Sequence, residues 1–84
     1  MSNVSARAHI RLTNQAEVLA FIQSLLKYED HFVIESRSGE QRVNAKSVIG
    51  VMYIMFDSPE EMYLVNDTRE GAIPAFVDRY RMPA

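Results

Sequence analysis

The sequence predicts an α+β domain in which helices lie on one face of an antiparallel sheet. Three observations predict it. The apolar periodicity switches between about 2 and about 3.6 residues along the chain. The segments so marked run strand, helix, strand, strand, helix, strand, helix. No linker, internal repeat or low-complexity tract divides the 84 residues, so residues 1–84 are read as one domain with a single hydrophobic layer.

Each element follows from its own residues. Val4, Ala6, Ala8, Ile10 and Leu12 fall on one side of the first segment, and Ser5, Arg7, His9 and Arg11 on the other, the alternation of a half-buried strand. Asn14 stands three residues before Glu17, the spacing of a capping box: the Asn side chain accepts a backbone N–H and the Glu reaches back. Val18, Leu19, Ile22, Leu25 and Leu26 then recur at three- and four-residue spacing in a helix that runs as far as Tyr28. His31 to Ser36 is rich in aromatic and β-branched residues and reads as a second strand; Gly39 supplies a tight turn into a third, Gln41 to Asn44. Ser47 stands where a cap belongs, ahead of a second helix from Val48 to Ile54. Gly50 inside that helix costs about 1 kcal/mol relative to Ala, a cost that close packing would offset. A polar turn containing Pro59 leads to a last strand with Met62, Leu64 and Val65, bounded by Asn66-Asp67-Thr68. Ile73, Phe76, Val77 and Tyr80 have helical spacing, and because proline is comfortable only in a first turn, Pro74 puts the start of this short helix near Ile73.

Composition limits the functions available. Hydrophobic residues make up 48% and charged residues 24%, an ordinary folding polypeptide. With no cysteine there is neither a disulfide framework nor a thiolate metal site. A net charge of −2 with scattered arginines argues against nucleic acid, whose phosphates demand a concentrated basic face. No apolar block resembles a signal peptide or approaches the roughly 18 residues of a membrane span, so a soluble, cytoplasmic protein with protein partners is expected. His9 and His31 lack metal-ligand spacing, and Glu60-Glu61 and Asp67 with Glu70 flank turns as solvated charges. Without a nucleotide loop or a nucleophile–base constellation, neither an enzyme nor a cofactor or metal site is expected.

The stretch Val43 to Met52, "VNAKSVIGVM", resembles the segment around the regulatory serine of the histidine-containing phosphocarrier (HPr) family, and the catabolite-repression homologue of that family even more. Lys27-Tyr28 is similar to a Lys-Phe pair often found there. The resemblance implies the family's βαββαβα fold, with sheet order 1-4-2-3 and all helices on one face. It also implies a site that has changed. The family's active histidine lies in a Gly-X-His-Ala-Arg-Pro-Ala motif at the start of the first helix. Here the corresponding residues are Leu12 to Val18, "LTNQAEV", with Asn14 in place of the histidine, Ala16 in place of the arginine and Glu17 in place of the proline. An amide does not attack a phosphoryl donor as a neutral imidazole does, and Glu17 adds negative charge where a phosphate needs positive charge.

What the resemblance implies is therefore a regulatory or adaptor protein of bacterial phosphoenolpyruvate sugar phosphotransfer and carbon catabolite control, without the carrier histidine. Ser47 is the residue an HPr-type serine kinase would phosphorylate, with Lys46, Val48, Ile49 and Met52 binding partners: that kinase, a transcriptional regulator or a phosphotransferase component. Tyr53, Met55 and Phe56 extend the apolar run beyond the family pattern, with a core position open as the alternative for Met55 and Phe56. A monomer or weak dimer is expected. Two alternatives stay open: a phosphocarrier using a displaced histidine, His9 or His31, and an interaction module with no phosphorylation.

Overall fold

In the computed structural model, which describes residues 6–82, the elements follow the order read from the sequence. They are β1 (Ala6–Ile10), α1 (Gln15–Leu25), β2 (Phe32–Glu35), β3 (Arg42–Asn44), α2 (Val48–Asp57), β4 (Met62–Asn66) and a C-terminal 3₁₀ helix (Ala75–Tyr80). Val4 and Ser5, the predicted start of the first strand, lie outside the described residues. The strands form one sheet in the order β1-β4-β2-β3, every neighbour antiparallel. Its register aligns Ala8, Leu64, Ile34 and Val43 in one row.

Strand alternation divides this sheet into two unlike faces. Ala8, Ile10, Phe32, Ile34, Met62 and Leu64 join the core with Val18, Phe21, Ile22 and Leu25 of α1, Val51, Ile54 and Met55 of α2, and Val77. The opposite face carries charge: Glu35 receives Arg42 at 3.2 Å and Arg7 at 3.6 Å, and the Arg7 guanidinium lies 3.9 Å over the Tyr63 ring. Val33 and Val65 pair with each other on that face and are buried among these long side chains.

The boundaries of all three helices differ from those the sequence predicts, and β1, β2 and β3 fall one or two residues short of theirs. α1 stops at Leu25, and turn hydrogen bonds from Lys27 and Tyr28 close it. The buried stripe of α1 takes in Phe21 and leaves out Leu19 and Leu26, which are exposed. At about 100° per residue, Val18, Phe21, Ile22 and Leu25 cluster on one side, whereas Leu19 and Leu26 both fall on its flank. α2 runs to Asp57, where Ser58 ends it. The last helix is 3₁₀ and begins after Pro74, which stands at the cap with extended backbone, so the ring precedes the first turn. Phe76 and Tyr80 set their rings edge-on against Phe21, at 5.6 and 5.1 Å between centroids.

Two polar seams hold the loops. Asn66, fully buried, donates to Asp30 Oδ2 (2.9 Å) and to the Ala72 carbonyl (2.8 Å), and accepts from the Thr68 N–H (2.8 Å). At the other end of the sheet the chain after the 3₁₀ helix pairs with the outer edge of β1. The Arg11 N–H donates to the Tyr80 carbonyl, the Met82 N–H donates to the His9 carbonyl, and Ile10 bridges Arg81.

Candidate docking site

From Val48 to Phe56, α2 contains no charged residue. A helix apolar all round is normally enclosed on every side, but one sheet covers only one side of this one. Val51, Ile54 and Met55 are buried; Val48 and Met52 are half-buried against the core from the flanks. Ile49, Tyr53 and Phe56, spaced i, i+4 and i+7, point outward, 84%, 56% and 72% exposed.

The approach of α2 to β3 fixes this orientation. A Cβ on Gly50 would meet Val43 Cβ at 3.0 Å, so glycine is the residue that lets the helix lie so close, which is the packing reason expected for it. Ser47 caps the helix: its hydroxyl oxygen accepts the Gly50 N–H at 3.2 Å. There is no acidic residue in the first turn, so nothing within it repels an anion placed on Ser47.

The structure distributes the predicted docking residues unequally. Ile49 is fully displayed, and Val48 and Met52 show only their outer edges. The Lys46 ammonium turns inward, donating to the Tyr28 carbonyl at 2.7 Å and the Asp30 carbonyl at 3.2 Å, so it ties the end of α1 to the start of α2. Tyr53 and Phe56 take the place this leaves, and their spacing from Ile49 was the signal that could have found them. Met55, which the sequence left between core and surface, belongs to the core, and Phe56 to the surface.

At the start of α1, Asn14 is a cap. Its side-chain oxygen accepts the Glu17 N–H at 2.9 Å. Glu17 reaches back one residue further than a simple capping box requires, accepting the Thr13 N–H at 2.7 Å and the Thr13 hydroxyl at 2.8 Å. These two hydrogen bonds, the backbone one foremost, hold its carboxyl below the usual glutamate range; the charge of Arg11 adds to this and partial burial opposes it. The helix N-terminus thus already holds an intramolecular carboxylate.

Neither histidine adjoins this position. His9 lies on the open face of the sheet, stacked on Tyr63 at 4.5 Å, with Nε2 2.9 Å from the Glu60 carbonyl, which can only accept. His31 is exposed beside Asp67 at 3.5 Å. Glu60 and Glu61 are exposed, and among the described residues no group of three His, Asp or Glu side chains is arranged around a metal position. Among the same residues no helix is long and apolar enough to cross a membrane.

Comparison of the chain with protein-family models, with characterised proteins and with solved structures returns no match.

Proposed function

We propose that this protein is a regulatory adaptor read by other proteins through α2, and that Ser47 is where the reading is controlled. The observation that carries the proposal is the outward line of Ile49, Tyr53 and Phe56 on a helix whose cap is a serine. Exposed apolar side chains grouped in this way mark contact surfaces. A phosphate on Ser47 would sit among the unpaired N–H groups of the first turn, at the positive end of the helix, so it would change the docking surface without unwinding the helix. It would repel acidic partners and recruit arginine-bearing ones.

The likeness of "VNAKSVIGVM" to the HPr segment supplies the class of kinase and the setting, cytoplasmic carbon control, and the order β1-β4-β2-β3 agrees with the fold that likeness implies. Asn14, bound up in capping, offers no nucleophile, so the adaptor does not carry phosphate on α1.

Two treatments test this. An HPr-type serine kinase should add one phosphoryl group to the wild type and none to Ser47→Ala, with amide exchange changing from Val48 to Met52. Phosphoenolpyruvate with enzyme I should leave the mass unchanged. A wild type that takes up no phosphate, or a Ser47→Ala variant modified equally well, refutes the role of Ser47. An acid-labile adduct on His9 or His31 would establish a phosphocarrier instead.

A further inference from the structure

The same apolar line has a geometry that fits its own copy. We propose that α2 pairs antiparallel with α2 of a second chain about a two-fold axis passing beside Tyr53, giving a reversible homodimer that competes with other partners for this face.

Area is the first reason. Ile49, Tyr53 and Phe56 are each more than half exposed, and aromatic side chains alone bury about 150–250 Å² when enclosed, so the three present roughly 400 Å² of contiguous apolar surface. That lies within the range of the largest patches found on monomers, which are often functional. A standard interface buries about 800 Å² on each side, somewhat more than half of it apolar. The line, with the outer edges of Val48 and Met52, supplies nearly that apolar share.

Charge and spacing select the occupant. A two-fold contact sets a patch against itself, so a charge inside it would meet its like at the axis and, elsewhere, the apolar remainder of the same patch. From Val48 to Phe56 there is none. At 1.5 Å per residue, Ile49 stands about 6 Å along the helix from Tyr53 on one side, and Phe56 about 4.5 Å on the other. Reversing one copy about Tyr53 therefore brings Ile49 opposite Phe56 of the second copy, an aliphatic side chain against a ring, at both ends. It also brings Asp57, the first charge after the line, beside the N-terminal end of the facing helix, where an acid is favoured. A partner of other design would need its own uncharged groove; a second copy already has the matching surface.

Absence of cysteine makes the test clean. Sedimentation equilibrium from micromolar to millimolar concentration should show the 9.6 kDa chain passing to twice that mass. Tyr53→Glu should melt as the wild type does while weakening association at least about tenfold, the usual effect of losing a central aromatic anchor. Under mild oxidation Tyr53→Cys should form a covalent dimer. Ile49→Cys should not, because two copies of that position lie about 12 Å apart along the axis, beyond the roughly 7 Å a disulfide spans. The double variant Ile49→Cys/Phe56→Cys should cross-link. A chain that stays monomeric at millimolar concentration overturns the proposal, as does Ile49→Cys cross-linking as readily as Tyr53→Cys. The dimer does not depend on modification of Ser47: a monomer that is still phosphorylated leaves the adaptor standing, and a dimer untouched by the kinase leaves the pairing standing.

Discussion

Replacing Gly50 by alanine sets two effects against each other where α2 meets β3. Within a helix, alanine is favoured over glycine by up to about 1 kcal/mol. Gly50 is only the third residue after the Ser47 cap, in the first turn, where the gain is smaller than at mid-helix. Against it stands the new Cβ, 3.0 Å from Val43 Cβ and 3.4 Å from both Val43 Cγ2 and Ser47 Oγ, inside the roughly 3.5–4.0 Å at which carbon atoms attract. No rotamer change relieves the closest contact. A Cβ moves only with its backbone, and that of Val43 is held in the ladder opposite Ile34. Overpacking of this kind costs about 1–3 kcal/mol, so Gly50→Ala is expected to lose about 1 kcal/mol net, or about 4–8 °C in Tm for a domain of this size. Val43→Ala keeps the offending Cβ. It removes only the 3.4 Å contact to Cγ2, so it should relieve part of the cost of Gly50→Ala and leave the rest, the coupling expected of residues in contact. Thermal and urea unfolding followed by circular dichroism measure all four proteins. A higher Tm for Gly50→Ala, or its complete rescue by Val43→Ala, would refute the close approach of the two Cβ positions as the reason for the glycine.

Four other variants have expected outcomes. Ile49→Glu, at a position 84% exposed, should leave stability unchanged or raise it slightly, because an acid in a first turn gains about 0.3–1 kcal/mol. Val51→Ala, at a fully buried position two residues on, should lose about 2–3 kcal/mol; equal losses in urea unfolding would mean that α2 presents a different side. Gly71→Ala would drive a Cβ into the Asn66 amide and should lower stability by at least about 2 kcal/mol through the buried hydrogen bonds that move; an unchanged urea midpoint would deny Asn66 that role. Glu17→Gln probes acid stability. Because the folded pKa is depressed, the Glu17 contribution is complete above the unfolded value of about 4.3 and fades as pH falls through the folded value. The wild type should exceed the variant in Tm at pH 7, and the gap should close in acid; a gap independent of pH would sink the assignment.

Where side-chain chemistry acts over three or four residues, the sequence was a sufficient guide. Asn14 and Ser47 cap the helices at which they were placed, and Gly39 makes its turn with φ of +81°. The α+β class and antiparallel sheet followed from periodicity, and the order of the strands from the resemblance. Less legible were features set by parts of the chain distant from one another. The helical spacing favours Phe21 over Leu19 for the stripe of Val18, Ile22 and Leu25, and the rings of Phe76 and Tyr80, from the far end of the chain, complete its enclosure. Lys46 reads as a surface charge until the end of α1 brings two carbonyls to it. At the docking site Ile49 was legible, and Phe56 stood at a spacing that fits the same side, but it was left between core and surface because which side of an uncharged helix faces the sheet depends on where β3 lets it rest.

The strand order also sets the sequence of events by which the chain can fold. β2 and β3 are joined by a short turn and can pair as soon as both exist. β1 must wait: its partner within the sheet is β4, more than fifty residues downstream, and its outer edge is closed by residues later still. Closing so long a loop is slow. During synthesis the first strand therefore leaves the ribosome with its ladder groups unpaired and stays so until Met62–Asn66 has emerged. Through that interval Ile10 and Leu12, both fully enclosed in the finished fold, remain open to aggregation or to chaperones.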